Sequence, residues 1–171
     1  MLLNVHQLLA VFPHPVLNKI VGEPTLDSIT LQQSEHNGNL ASIKSNMGDG
    51  LTVLMVISMK PATFATIHPD HFTIPTNPGP GPDPDAIAAA SSATNIADIY
   101  KAYALQSKIY SEFIEAEQIS VKIALDSMAE ICYKALNHTH TGYAKMTLRQ
   151  LLKHLVTTYS AIDQFDLEKN Q

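Results

Sequence analysis

With 171 residues, 45% of them apolar, and a net charge of −5, the chain is long enough to bury a core and too apolar to be disordered throughout. Charged residues make only 16% and no run of Lys or Arg occurs, so the electrostatic footprint of a nucleic-acid-binding protein is missing. A single cysteine, Cys132, excludes an intrachain disulfide and suits a reducing compartment, and no stretch approaches the apolar length of a membrane span.

Taken in order, Leu2, Leu3, Val5, Leu8, Leu9 and Val11 suggest a short helix or docking arm that Pro13 and Pro15 end. Met1 to Ala10 has neither a basic start nor a small-residue cleavage site, so a signal peptide is not expected. Gly22-Glu23-Pro24-Thr25 reads as a turn into an N-cap. Leu26, Ile29, Gln33 and His36 then give a helix to about Asn37, with Asn37-Gly38 as its stop. Gly48-Asp49-Gly50 precedes the β-prone run Leu51 to Ile57, and this punctuation predicts a small β-hairpin over about 41–57. A buried helix over Leu51 to Met59 is the competing reading. Ser58 and Pro61 mark a fresh helix start through Phe64.

Residues 75–84, PTNPGPGPDP, hold five prolines and can be neither helix nor central strand. This stretch separates an N-terminal part, 1–74, from a helical part, 85–171, and the two are expected to pack as one domain. A connector is the simplest role for it; Pro78, Gly79, Pro80, Gly81 and Pro82 are the candidate contact for a partner. From Asp85 to Leu136 neither Gly nor Pro appears, which predicts one long helix or two in succession. Ile96, Ile99, Tyr103, Tyr110 and Phe113 form one apolar stripe, and Ile114, Val121, Leu125, Met128, Cys132 and Ala135 form another, displaced by one residue. The slip predicts a bend or break at Glu112 to Gln118.

The helical pattern runs out at Leu136, and Asn137 to Thr141 suits a turn. Gly142 supplies a backbone free to take positive φ. Thr147 and Gln150 stand at capping-box spacing, and Leu148, Leu151, Leu152, Leu155 and Tyr159 follow as one core stripe. Asp163 is placed to cap a further helix start. The fold expected is therefore mainly α: a helical bundle with a long, bent helix after the Pro-rich loop, plus the small hairpin.

Enzyme signals are weak. His138 and His140 lack a Cys pair or third His at ligand spacing, so a solvated turn is favoured over a metal site. His154 lies beside the leucine stripe, where a hydrogen-bonded structural role is favoured over a general base. Asp163 and Asp166 are explained by helix capping, and Gly48-Asp49-Gly50 is not followed by the Lys and helix of a phosphate loop. No catalytic residue, cofactor or metal is expected.

Two ordered blocks resemble a known family. Tyr133, Ala135-Leu136, Thr141-Gly142-Tyr143, Thr147, Leu151-Leu152, His154-Leu155, Tyr159, Ile162, Asp166-Leu167 and Asn170 resemble Gag polyproteins of copia-type LTR retrotransposons, diatom and protist ones above all. Pro15, Leu17, Lys19-Ile20, Gly22-Glu23-Pro24-Thr25, Asn39, Ala41-Ser42, Ser45-Asn46 and Gly48 are similar to the N-terminal part of the same polyproteins. The resemblance implies a cytoplasmic, self-assembling capsid subunit of a virus-like particle. It binds RNA only weakly, or through a region outside this chain, and has no membrane partner. The family pattern continues past the Asp166-Leu167 block with a zinc knuckle or basic tail that is not seen here, and some members carry a Gly-His stretch where this chain enters Leu51 directly. A different class of function fits the same sequence: a non-catalytic helical adaptor, or a domesticated capsid fragment that regulates assembly.

Overall fold

The computed structural model describes residues 5–45, 47, 50, 52–68, 73–90 and 92–169, with side chains in the last helix described as far as Tyr159. Six α-helices are found among them: α1 Val5–Val11, α2 Leu26–Ala41, α3 Pro61–Ile67, α4 Pro84–Ala89, α5 Ala93–Asp126 and α6 Leu148–Lys169. Short 3-10 turns cover Val53–Ile57, Glu130–Cys132 and Lys134–Leu136. The chain is mainly helical, as the apolar periodicities predict. α2 packs against α6 and the 53–57 turn, and α5 lies against α6, α1 and α2. A continuous apolar core runs from Leu8 and Phe12 through Ile29, Leu40, Leu54 and Ile119 to Leu151 and Leu155.

α1 stops at Val11, before Pro13, and the chain then runs irregularly beside α2. Thr25 caps α2 with a reciprocal bond to Ser28: the Ser28 amide donates to Thr25 Oγ1 at 3.2 Å and the Thr25 amide to Ser28 Oγ at 2.9 Å. The expected stop at Asn37-Gly38 is overturned, because α2 continues to Ala41. Its last turn is held by long-range bonds. Asn39 accepts from the His14 amide at 2.8 Å and donates to the His14 carbonyl at 2.7 Å, acting as a second peptide group. One turn earlier Glu35 accepts from the Asn18 amide at 3.0 Å and from the Asn18 side chain, and Gln32 donates to the Asn18 carbonyl at 3.1 Å. Gln32, Glu35 and Asn39 share one helix face, so a helix ending at Asn37 would lose the last of these clamps.

The β-hairpin is not found. Val53 to Ile57 forms a 3-10 turn, and among the described residues the only ladder contacts are isolated bridges, Ile20 with Met128 and His138 with Gly142. Gly48, Asp49 and Leu51 of that prediction lie outside the described residues. The physical reason is burial on more than one side. Val53, Leu54, Val56 and Ile57 are all buried in adjacent pairs, whereas a half-buried strand hides only every second residue. α2, α5 and α3 surround this segment, so β-propensity alone does not decide its form.

The break expected at Glu112 to Gln118 is also absent. α5 passes through it as one helix of 34 residues, about 50 Å long. The phase slip has another origin. Only the second half of α5, from Phe113 to Ala124, is in the core, while Ala93 to Ser111 carries no fully buried side chain. The interruptions fall between Ala89, where α4 ends, and Ala93, where α5 begins, and at Ser127, nine residues before the expected end at Leu136. Ser127 is fixed from outside: its carbonyl accepts from the Ile20 amide at 2.9 Å and its hydroxyl from Gln32 at 2.6 Å. Asp163 caps no new helix, since α6 runs without interruption to Lys169.

Candidate functional site

The turn from Asn137 to Met146 and the first half of α6 bring several polar side chains together around an open surface. Gly142 takes φ 56°, the left-handed region its lack of a Cβ permits. That conformation closes a tight antiparallel contact, with the Gly142 amide donating to the His138 carbonyl at 2.8 Å and the His138 amide to the Gly142 carbonyl at 3.1 Å. Tyr133 and Tyr143 meet edge to face with ring centroids 5.1 Å apart, and Tyr143 donates its hydroxyl to Glu130 at 3.2 Å. The turn is thus tied to the segment that follows α5.

The capping box is present as the spacing predicts. The Gln150 amide donates to Thr147 Oγ1 at 3.1 Å, and the Thr147 amide donates to Gln150 Oε1 at 3.0 Å. Leu148, Leu151, Leu152 and Leu155 are buried in the core, whereas Tyr159, placed on the same stripe, is only half-buried and packs on its edge. Arg149, half-buried, borders this face in the first turn. Its guanidinium donates to the Val56 carbonyl, and its charge opposes the burial that raises the carboxyl of Glu117 above its ordinary range.

His154 has the structural role expected. Its Nε2 faces the Cys132 carbonyl at 3.2 Å and its Nδ1 the Thr158 hydroxyl at 3.3 Å. Donation from Nε2 and acceptance at Nδ1 satisfies both contacts. Cys132 is buried, and burial pushes its thiol above the ordinary range, which makes it unreactive. His138 and His140 are exposed on the turn, with rings 5.9 Å apart and the His140 amide donating to His138 Nδ1 at 3.3 Å. Among the described residues no three His, Cys, Asp or Glu side chains are grouped to hold a metal ion.

Among the described hydrogen bonds, one ties the candidate partner loop to α5. Tyr103 of α5 donates to the Gly79 carbonyl at 2.7 Å, and Gly79 takes φ 86°. Gly79 and Pro80 are exposed, while Pro78, Gly81 and Pro82 are half-buried. The loop lies far along the chain from the α6 cap, and no described hydrogen bond joins the two.

Between the turn and α6 lies an open cleft of about 540 Å³, lined by Leu136, His138, Thr141, Gly142, Lys145, Met146, Gln150, Lys153, His154 and Thr157. Sequence reasoning missed it, although a signal existed. From Ile131 to Ile162 there is no Asp or Glu, while Lys134, Lys145, Arg149 and Lys153 fall within the stretch. The whole-chain charge of −5 conceals this local excess. Among the described residues no helix is long and apolar enough to cross a membrane. Comparison with protein-family models, with curated proteins and with solved structures gives no match to this chain.

Proposed function

We propose that the chain is a Gag-like capsid structural protein that self-assembles in the cytoplasm into a virus-like particle enclosing element RNA, without catalysis. The observation that carries this reading is what the residues of the family resemblance do. Thr25 and Thr147 cap helices, and Gly22 and Gly142 take positive φ. Leu17, Ile20, Leu151 and Leu155 are core, Asn39 clamps the 13–18 segment, and His154 holds the Cys132 carbonyl. These are the tasks of a scaffold. The two blocks, remote in sequence, also meet in space, since α2 packs on α6, and the first block reaches the residues just before the second, where Ile20 bridges to Met128 and the Cys132 thiol approaches the Gly22 carbonyl at 3.9 Å.

Apolar surface supports association with further copies. Val16 is 77%, Val21 89% and Ile131 73% exposed, and Tyr100 and Leu105 on the outer half of α5 are 52% and 54% exposed. Weak contacts suffice when closed symmetry repeats them. Sedimentation over a hundredfold range of concentration, followed by electron microscopy, tests the reading. Growth into large symmetric particles that persists in high salt is expected, because apolar contacts are not screened as ion pairs are. A strict monomer throughout would favour the adaptor reading, in which the exposed Gly79-Pro80 tip is the contact for a partner.

A further inference from the structure

The cleft between the 137–146 turn and α6 has a one-sided chemistry. Lys153, placed three residues after Gln150 and four before Thr157, shares a helix face with them, and that face looks across at Lys145, Thr141 and His138 on the turn. No carboxylate lines the space. The acceptors that do line it are largely engaged within the protein. Gln150 Oε1 receives the Thr147 amide, His138 Nδ1 receives the His140 amide, and both ring nitrogens of His154 have partners. Thr157 turns its hydroxyl hydrogen away, donating to the Lys153 carbonyl.

What remains to meet a ligand is a set of donors. Among the described residues Lys145 and Lys153 form no ion pair, and both are exposed. With Oε1 engaged, Gln150 keeps the two hydrogens of its amide nitrogen, and with Nδ1 accepting, the ring N–H of His138 is at Nε2. The N-terminal end of α6 adds a favourable dipole for negative charge. Leu136 and Met146 give the cleft an apolar part beside these donors. In a protein of net charge −5 such a site is a local inversion of sign. Its volume falls in the range of small-molecule sites, roughly 300–1,000 Å³.

We propose that this cleft binds a small phosphorylated molecule, a phosphomonoester of about nucleotide size. Its phosphate is taken by Lys145, Lys153 and the Gln150 amide, and its organic body lies over Leu136 and Met146. Two ammonium groups and neutral donors suit an oxyanion better than a cation or a neutral sugar. The site is independent of the capsid reading, since it requires only the fold of one chain.

Calorimetric titration of the full chain with inorganic phosphate, adenosine 5′-monophosphate and adenosine tests the proposal. Saturable binding of the monophosphate is expected, with weaker binding of phosphate and none of adenosine. The double variant Lys145→Ala with Lys153→Ala is expected to lose at least roughly tenfold in affinity, while the Lys→Arg pair retains binding. Both lysines are exposed, so an unchanged melting temperature is expected, and Lys101→Ala with Lys122→Ala, two salt-bridged lysines on α5, serves as the control for net charge. The proposal is overturned if neither phosphate compound binds saturably, or if the double alanine variant binds as well as the parent. It is equally overturned if a single-stranded RNA binds through these lysines while the mononucleotide does not. That last result would make the cleft part of a polymer track.

Discussion

His36 is the residue whose placement has the clearest consequence. It is fully buried on α2, and among the described residues neither ring nitrogen has a hydrogen-bond partner. Burial lowers its pKa from 6.5 to about 4, because a charged imidazole would lose its hydration without a compensating partner. In the unfolded chain the ring takes up its proton at the higher value. Stability from this residue is therefore fully present above about pH 6.5 and is lost as pH falls toward 4. The loss over that window is about 3 kcal/mol. Urea unfolding at pH 7.5 and 4.5, for the parent and His36→Leu, should show a smaller acid loss in the variant. Equal slopes would mean that His36 finds a partner when protonated. Glu117 works in the opposite direction, since a carboxyl raised by burial is relieved by protonation, and comparing the two chains removes its contribution.

At the scale of elements, α6 depends on its first turn and on its leucines in different ways. Thr147→Ala removes one half of the capping box and should cost about 1 kcal/mol, measured as a fall in melting temperature with the denaturant slope unchanged. Leu155→Ala leaves a cavity where α6 meets the core and should cost about 3 kcal/mol. Tyr159→Ala, at the half-buried edge of the same stripe, should cost distinctly less than Leu155→Ala. If the two cost the same, the core extends further along α6 than the described side chains indicate. At the other end of the molecule, Tyr103→Phe removes the single bond to the Gly79 carbonyl. It should leave the unfolding free energy within about 0.5 kcal/mol of the parent and increase proteolysis in residues 75–84.

For the whole molecule the distribution of apolar surface matters more than any one contact. Leu105 and Ile131 are exposed and lie on different sides of the Ser127 break, so Leu105→Asp and Ile131→Asp should leave folding intact. Each should shift self-association to higher protein concentration in sedimentation, and the pair more than either alone. Unchanged association in the double variant would place the contact elsewhere, with Val16 and Val21 the next surface to test.

The sequence by itself determined the features that depend on a few neighbouring residues. Thr25 and Thr147 cap because a side-chain oxygen three residues from an amide is a local geometry, and Gly142 turns because it lacks a Cβ. The stop after Val11, the start at Pro61 and the leucine face of α6 were legible for the same reason. Tertiary structure decided where distant groups compete with local preference. Asn39 carries α2 past Asn37-Gly38 because the His14 peptide needs both of its bonds. Ser127 ends α5 without Gly or Pro because Ile20 and Gln32 take its carbonyl and hydroxyl. Val53 to Ile57 is a 3-10 turn because three helices bury adjacent residues there at once. The cleft, too, arose only on folding. Lys145 and Lys153 are ordinary surface lysines in the sequence, and the Gly142 turn sets them on facing walls while Thr147, His140 and Thr158 occupy the acceptors.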